Sequence, residues 1–489
     1  MTLCRIKNPE QLKKSSPGEF GKLLGLDRIP EVKHFRTKLR QITDQSKMDK
    51  LHTELFHDWV ESLPELFFYI DGHVIVYHGE LANLPKRFVS RQKLCMPGAA
   101  EFWVNDQSGL PLMVINADLN EKLKNAVEQI IPKIIKDTGL KIDLDSQNPT
   151  FTVVMDRETY EPLWFKFLWE TYRIAVITYR KNVKDKWDES LFNDVEIQTI
   201  NGSMTMRLCE LGTLLNGQWF REVRKVSTQE HQTAIITTHP TLSMEQIAVK
   251  MFSRWTQENF FKYVIENFDF DRMIEYGTEM VDLTQTIPNP EYKKIAYQIK
   301  KEKQKKARAK ALLIKDIEKA NTFIIEKIPQ ILIKNNHLLE QIEGHDKEIE
   351  KLKLLQNSTH KRISVEEMSN ENRYNKLKQE SKKLKNAVIM LSYRAESALY
   401  NLMADFYKDT NKEGRMILKE IFTTDADLIP DYINNKLTVR LHSLSTPRAN
   451  LAVKELSDRL NQTQTYYPFT NLMLNYETAA FQVTKVVEV

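Results

Sequence analysis

The order of apolar segments between residues 66 and 117 most constrains the fold of this chain. The segments LFFYIDGHVIVYHG (66–79), AAEFWVND (99–106) and LPLMVINA (110–117) are rich in β-branched and aromatic residues, a composition typical of strands. The turn sequence Gln107-Ser108-Gly109 separates the last two segments, which indicates a hairpin. The sequence therefore predicts three consecutive strands in this region.

Helices and strands alternate after these three strands. Helical periodicity covers 119–138, where Pro132 interrupts it, and 158–171, whereas 151–156 and 173–180 are short apolar strands. Three antiparallel strands followed by such an alternation are the layout of the RNase H-like fold. We therefore predict an α/β protein with an RNase H-like mixed sheet flanked by helices.

The remaining segments divide the chain into four predicted regions. A small β insertion at 183–233 is expected before a strand and one long helix at 243–269. Segments 293–356 and 370–408 have long helical periodicity and are expected to form an antiparallel, coiled-coil-like hairpin. The predicted regions are an N-terminal helical region (1–62), an RNase H-like catalytic domain (63–285, including the insertion), a basic helical hairpin (286–410) and a small C-terminal α/β region (411–489).

Composition excludes several classes of protein. The cysteines Cys4, Cys95 and Cys209 are isolated, so neither a disulfide framework nor a structural zinc site is expected. No run of about 18 apolar residues occurs, and the N-terminus has no apolar signal segment. We therefore expect a cytoplasmic protein without a membrane partner, and its net charge of +5 identifies no partner by itself.

Asp71 lies inside the first strand rather than at its edge. Burying an ionised carboxylate costs several kcal/mol unless a cation or strong hydrogen bonds compensate. Alternation places Tyr69, Asp71 and His73 on one face of the strand. An aspartate that caps a turn is the structural alternative, but the mid-strand position favours a functional role. We interpret His73 as supporting this site through a hydrogen bond rather than as a metal ligand.

Two further acids complete a candidate active site. Asp156 ends the strand FTVVM, and the carboxyl ends of strands are where α/β folds bind ligands, but it would equally suit the N-cap of the next helix. Glu258 lies in the helix predicted at 243–269, one turn from Arg254 and one turn from Lys262. An exposed Arg–Glu–Lys ladder would explain this spacing, whereas the aromatic neighbours indicate a helix packed against the sheet.

Three carboxylates at one site suit divalent metal ions. Mg²⁺ prefers oxygen ligands, and two ions roughly 3.5–4 Å apart activate the attacking oxygen and stabilise the leaving oxygen in a displacement at phosphorus. The sequence contains no GxSxG motif, Walker glycine loop or HExxH motif. We therefore predict that Asp71, Asp156 and Glu258 are catalytic residues that bind two Mg²⁺ ions, which Mn²⁺ would replace.

The chain resembles the DDE transposases of bacterial insertion sequences. The resemblance rests on YIDGHVIVYHG, VVMDRETYEP and especially FSRWTQENFFKY, and it covers about 63–285. The segments GEFGKLLGLDRIPEVKHFR and LTVRLHSLSTPRANLAVKEL also look like this family. The resemblance implies cut-and-paste transposition, in which metal-dependent cleavage at the element's ends is followed by strand transfer into target DNA. It also implies a homodimer that holds two ends in a synaptic complex, acting in the bacterial cytoplasm at the nucleoid.

One branch of this family carries a longer signature of tyrosine, arginine, glutamate and lysine. Arg254 and Glu258 match its spacing, but Met251 stands at the tyrosine position and Ile265 at the lysine position, with Lys262 closer to the glutamate. The resemblance implies that Arg254 contacts the DNA backbone beside the metal ions.

A basic stretch between residues 293 and 310 indicates a second contact with double-stranded DNA. It contains nine Lys or Arg residues against one acid, Glu302, and on a helix these would neutralise phosphates without reading base sequence. A solvated helix face is the structural alternative. The helices before residue 62 show no clear helix-turn-helix, so we expect the N-terminus to be short or incomplete. The candidate DNA-binding residues are Arg254, Lys262, Lys300, Lys301, Lys305, Lys306 and Arg308.

Two other functions fit the same residues. One is a related RNase H-like nuclease that cleaves DNA without strand transfer, and the other is a catalytically inactive DNA-binding or scaffold protein. Substituting any of the three acids would abolish cleavage in both enzymes, so only strand transfer separates them. Carboxyl groups more than roughly 10 Å apart would favour the inactive protein, because they could not share a metal pair.

Overall fold

The computed structural model describes residues 1–479 except 15, 23, 25, 90, 118–121, 200–201, 273–276, 280, 320–332, 370–372 and 405–410. The helices described are α1 (Pro17–Lys22), α2 (Val32–Thr43), α3 (Met48–Val60), α4 (Leu123–Thr138), α5 (Pro162–Tyr172), α6 (Met244–Phe252), α7 (Arg254–Phe268), α8 (Pro290–Lys319), α9 (Asn336–Ser358), α10 (Glu380–Ala404), α11 (Asn411–Thr423) and α12 (Pro447–Gln462). The strands described are β1 (Phe67–Val76), β2 (Lys86–Val89), β3 (Leu94–Asn105), β4 (Pro111–Asn116), β5 (Phe151–Met155), β6 (Ile174–Tyr179), β7 (Asn193–Thr199), β8 (Gly202–Leu215), β9 (Gln218–Val226), β10 (Gln232–Thr237), β11 (Thr278–Glu279), β12 (Thr286–Pro288), β13 (Arg362–Ser364), β14 (Lys376–Leu377), β15 (Ala426–Asp431), β16 (Lys436–Leu441) and β17 (Met473–Thr478).

A large mixed sheet organises the molecule, in agreement with the predicted α/β class. Its strand order is β2-β3-β1-β5-β6-β10-β9-β8-β7, and β4 also pairs with β3. The central strands β1, β5 and β6 run parallel to one another, whereas β3 and β10 run antiparallel to their central neighbours. Parallel strands are usually buried on both faces, and all five residues of β5 are buried.

Helices cover both faces of this sheet. On one face, α3, α4 and α5 pack against alternate strand residues such as Phe68, Ile70 and Val153. On the other face, α6 packs against the intervening residues, among them Tyr69 and Val154. Because side chains alternate along a strand, this division fixes the face to which each later residue of β1 and β5 belongs.

The predicted helix at 243–269 is broken into α6 and α7 at Ser253. The Ser253 hydroxyl donates to the carbonyl of Val249 at 2.8 Å, and such back-bonding competes with regular helix formation. The turn between β3 and β4 packs against the break, where the Thr256 hydroxyl donates to the carbonyl of Gln107 at 3.3 Å. Helix periodicity alone could not reveal this break, because a contact distant in sequence accompanies it.

One other local prediction needs correction, and a second becomes more specific. The helix α4 runs without interruption through Pro132, because a row of fully buried residues, including Ile130 and Ile134, holds it against the sheet. The segment at 183–233 contains strands, as predicted. Its strands β7, β8 and β9 continue the main sheet beyond β10.

The helical hairpin has different arms from those expected. Helix α8 runs antiparallel to α9, and Ile295 and Ile299 pack against Leu352. Across the same interface, His345 Nδ1 and Glu302 Oε2 are 2.7 Å apart. The expectation that 370–408 forms the second arm is wrong, because α10 packs on α3 and α7 instead. The connection at 320–332 lies outside the described residues.

A smaller three-stranded sheet lies near the C-terminus. Strands β15 and β16 form an antiparallel pair, and β17 runs parallel to β16. Helix α12 connects β16 to β17 along the chain, and its buried residues pack with α11 and the end of α10. In the described part of the chain, no helix is long and apolar enough to cross a membrane.

Candidate active site at the edge of the parallel strands

The parallel register of β1 and β5 brings Asp71 and Asp156 to the same level of the sheet. Ile70 of β1 stands opposite Met155 of β5, so the two aspartates occupy the next position on each strand. Both belong to the face that α6 and α7 cover, because they alternate with residues that pack on the opposite face. The two residues that sequence patterning selected are therefore brought together.

Tyr179 extends this row on the next strand. Met155 of β5 pairs with Thr178 of β6, so Tyr179 is level with Asp156. Burial raises the pKa of the Tyr179 hydroxyl. The positive charge of Arg254 opposes that rise, and the negative charges of Asp156 and Glu258 add to it. Tyr179 therefore lies within the electrostatic reach of the acidic residues, although sequence analysis did not select it.

Arg254 connects the sheet to the third acid. Its guanidinium donates to Asp71 Oδ2 at 3.4 Å and to Glu258 Oε1 at 2.5 Å. The Arg254 side chain is only 12% exposed, compared with 25% for Asp71 and 43% for Glu258. The Arg254–Glu258 half of the proposed ladder is thus present, but it points into the site rather than along an exposed face. Lys262 is exposed and pairs with no carboxylate in the described part of the chain.

The pKa of the Asp71 carboxyl group is raised above its ordinary value. Burial raises its pKa to about 6, the guanidinium of Arg254 and the backbone N–H of Gly72 oppose that rise, and the charges of Asp156 and Glu258 add to it. The Gly72 N–H donates to Asp71 Oδ1 at 2.8 Å. Perturbed carboxylates at a strand end are typical of functional sites, and this site holds three acids against one guanidinium.

A buried glutamine fixes α7 over the sheet. Gln257 Nε2 lies 3.1 Å from the carbonyl oxygens of Tyr69 and Trp103 and 2.9 Å from Asn105 Oδ1. Three residues further along α7, on the same side of the helix, Phe260 packs on Trp103. Glu258 lies between these two anchors, so its position follows from the packing of its helix.

The donor set of this site fits a hard divalent cation. Carboxylate oxygens are the ligands that Mg²⁺ prefers, and Asp156 and Glu258 lie close enough to Asp71 for their negative charges to act on it. In the residues that the structure describes, no three His, Cys, Asp or Glu side chains are already grouped around a point that could hold a metal ion. The Arg254 guanidinium instead bridges Asp71 and Glu258.

His73 contacts α7 and the segment that follows this helix. Its Nε2 is 2.7 Å from Asp271 Oδ1, and its ring stacks on Phe261 with centroids 5.3 Å apart. Arg91 also pairs with Asp271. A hydrogen-bonded supporting role is consistent with these contacts.

A cleft of about 1060 Å³ opens beside Asp156. Its walls are the segments 179–186 and 229–234, and Arg157 and Arg254 lie at its acidic end. Sequence analysis missed this feature, which we call the cationic groove. The available signal was the run RKNVKDK at 180–186, which follows a buried strand and contains four basic residues and one acid.

The basic residues predicted on α8 lie elsewhere. Of the seven candidate DNA-binding residues, only Arg254 lines the cationic groove. Lys305 pairs with Glu302 at 2.6 Å, and Lys306 pairs with Asp346 of α9, so these two cations already have partners. The exposed residues without an ion pair in the described ranges are Lys300, Lys301 and Arg308.

Fold and site together define a mixed α/β protein with an acidic site at the edge of parallel strands, beside a groove rich in cations. The family model described as "transposase protein" matches residues 1–480, and the chain belongs to this transposase family. DNA is therefore its partner. The chain matches no curated protein sequence.

Proposed function

We propose that this transposase is a DDE enzyme from a bacterial insertion sequence, which cleaves DNA at the element's ends and joins them to target DNA. The observation that carries the proposal is that Arg254 pairs with both Asp71 and Glu258, while the strand register places Asp156 beside Asp71 at the edge of the parallel strands. Membership of the transposase family supports the choice of DNA as substrate.

The arrangement of strands supports an RNase H-like core. Strands β4, β3 and β1 are antiparallel neighbours, and β5 and β6 follow β1 in parallel. The helices α4 and α5 precede and follow β5 in the chain. This is the order that sequence patterning predicted for that fold.

In the proposed site, Asp71, Asp156 and Glu258 hold two Mg²⁺ ions, and Mn²⁺ can substitute for them. When bound, such ions activate the attacking oxygen and stabilise the leaving oxygen in displacement at phosphorus. Arg254 has two roles of its own. Its positive charge offsets the repulsion between Asp71 and Glu258. The N–H groups of its planar guanidinium can also donate to a phosphate oxygen of the DNA backbone. We also propose that the protein acts as a homodimer on paired element ends at the bacterial nucleoid.

The proposal is tested with DNA that carries the ends of the encoding element, in the presence of Mg²⁺ or Mn²⁺. Cleavage is measured as release of 3′ hydroxyl ends, and strand transfer as their joining to a target plasmid. We expect Asp71→Asn, Asp156→Asn and Glu258→Gln to reduce both products to background, because each removes a charged oxygen ligand.

Matched controls are available near two of these acids. Glu158→Gln changes an exposed acid two residues after Asp156, and Glu266→Gln changes an exposed acid on the same helix as Glu258. Both controls should retain activity. A carboxylate variant with wild-type cleavage would contradict the site, whereas cleavage without any joined product would contradict the transposition step.

A further inference from the structure

The cationic groove begins where the acidic site ends. Asp156, Tyr179 and Arg254 line both the acidic site and the groove. The groove continues between the segment that follows β6 (179–186) and the turn between β9 and β10 (229–234). A polymer whose reacting bond lies at the carboxylates would therefore continue into this groove.

Three basic side chains of the groove are available to a ligand. Arg157, Lys184 and Lys186 are exposed and pair with no carboxylate in the ranges that the structure describes. Lys181 is half-buried and only reaches the carbonyl of Glu158, at 3.5 Å. Arg180 differs from them because it pairs with the fully buried Glu222 at 2.6 Å, which gives it a structural role.

The acids of the groove do not cancel these cations. Asp185 is held by Arg224 at 2.6 Å, and that hydrogen bond is the main reason why the pKa of Asp185 is lowered. Glu230 is exposed on the opposite wall, next to His231. The wall formed by the segment that follows β6 is therefore cationic on balance.

A buried network holds this wall in place. Arg224 is fully buried and donates to Glu222 Oε1 at 2.7 Å, to the Asp185 carbonyl at 2.9 Å and to Gln232 Oε1 at 3.1 Å. Its guanidinium also lies 4.1 Å from the centre of the Trp187 ring. The backbone that carries Lys184 and Lys186 is thus held at Asp185 and at Trp187. Little chain entropy is therefore lost when a ligand binds to these lysines.

We propose that the cationic groove binds the sugar–phosphate backbone of the DNA that leads away from the cleaved bond. This inference rests on the proposed function, because it takes the acidic site as the position of the reacting phosphate. Lysine and arginine side chains bind phosphates through charge and do not read base sequence. The groove therefore positions DNA of any sequence, whereas the exposed residues of α8 lie outside it.

The test compares two charge-matched double variants. Lys184→Gln/Lys186→Gln removes two cations of the groove, and Lys351→Gln/Lys353→Gln removes two exposed cations of α9. Binding to a fluorescein-labelled DNA duplex of arbitrary sequence is measured across a range of salt concentrations, with a chelator present so that no cleavage occurs. Each lost phosphate contact lowers the slope of log affinity against log salt by about 0.9.

We expect the groove variant to weaken binding and to reduce this slope by about 1.8, while the α9 variant keeps the wild-type slope. An unchanged slope in the groove variant, or an equal change in both variants, would overturn the proposal. A third double variant, Lys300→Gln/Lys301→Gln, tests α8 directly, and a slope change confined to it would assign the contact to α8. These binding measurements need no catalysis. The groove proposal can therefore be overturned while the carboxylate substitutions still abolish cleavage, and it can hold even if those substitutions leave cleavage intact.

Discussion

At the scale of single residues, Gln257 links α7 to the sheet. Its amide nitrogen lies within hydrogen-bond distance of two strand carbonyls, on Tyr69 and Trp103, and it is fully buried. Gln257→Leu keeps a similar shape but removes the donor. A buried carbonyl that loses its hydrogen-bond donor costs about 1–3 kcal/mol. We therefore expect Gln257→Leu to lower the free energy of unfolding by about 2 kcal/mol, measured by urea denaturation.

The control for this substitution lies two residues away on the same helix. Asn259 is exposed, so Asn259→Leu should change the free energy of unfolding by less than about 0.5 kcal/mol. Gln257→Leu should also lower DNA cleavage, because Arg254 and Glu258 lie on the helix that Gln257 anchors. Equal stability of the two variants would show that the buried amide contributes nothing.

The three acids could be selected from sequence because each has a local signal. Asp71 interrupts an apolar strand and Asp156 ends one, whereas Glu258 stands one turn after Arg254. Their proximity also depends on the parallel register of β1 and β5. Lys184 and Lys186 belong to the charge run RKNVKDK, which is a weak signal because a charge run in a loop is usually solvated. Their placement depends on a contact between Arg224 and Asp185 across 39 residues of sequence.

At the scale of secondary-structure elements, the turn between β3 and β4 meets the start of α7. Gly109 of this turn has φ +81°, and a Cβ there would lie 2.8 Å from the carbonyl oxygen of Thr256. Gly109→Ala therefore meets both backbone strain and a steric clash. We expect the unfolding temperature and the cleavage rate to fall together, since the clash displaces the helix that carries Glu258.

A substitution at Gly139 separates the effect of backbone strain from the effect of a steric clash. Gly139 has φ +66° at the end of α4, and no atom lies within 4 Å of its Cβ position. Gly139→Ala should cost about 1–2 kcal/mol of stability through backbone conformation alone and leave cleavage of the folded protein unchanged. If Gly109→Ala behaved in the same way, contact with Thr256 would have no part in positioning α7.

Element types were easier to predict than their partners. The strands that became β1, β3, β4, β5 and β6 and the helices α4 and α5 follow from local periodicity. The short strand β2 was not predicted, because its four residues, KRFV, carry little alternation. The second arm of the helical hairpin was also predicted wrongly. The helices α9 and α10 have similar amphipathic patterns, so only packing in the folded protein decides which of them pairs with α8.

At the scale of the whole molecule, α10 joins the sheet that carries the candidate active site, although 285 residues of sequence separate Asn386 of α10 from Glu101 of β3. Glu101 of β3 is fully buried and lies 3.2 Å from Lys382 Nζ. Asn386 Nδ2 and Trp103 Nε1 donate to the same carboxylate at 2.8 Å and 3.0 Å. Further along α10, Tyr393 packs edge-on against Phe260 of α7. The helix α10 thus also supports α7, through Phe260.

The protonation of Glu101 decides when this contact contributes to stability. Burial alone would raise the pKa of Glu101, but the ammonium of Lys382 and the hydrogen bonds from Asn386 and Trp103 together lower it below its usual value. A carboxyl group with a lowered pKa in the folded state stabilises the protein above its unfolded-state pKa, and that contribution is lost as the pH falls through the lowered value. At neutral pH the contact between β3 and α10 is therefore fully present.

A double-mutant cycle at neutral pH measures how strongly α10 is coupled to the sheet. Removing one partner of a buried ion pair leaves an uncompensated charge and costs about 3–5 kcal/mol, so Lys382→Met and Glu101→Gln should each lower the free energy of unfolding strongly. The double variant should lose less than the sum of the two, because neither charge is then left alone. The exposed pair of Lys347 and Glu343 on α9 is the matched control, and solvent screening should leave it with little or no measurable coupling. Additive losses at Glu101 and Lys382 would contradict a direct coupling, and α10 would then owe its position to the apolar contacts around Tyr393 alone.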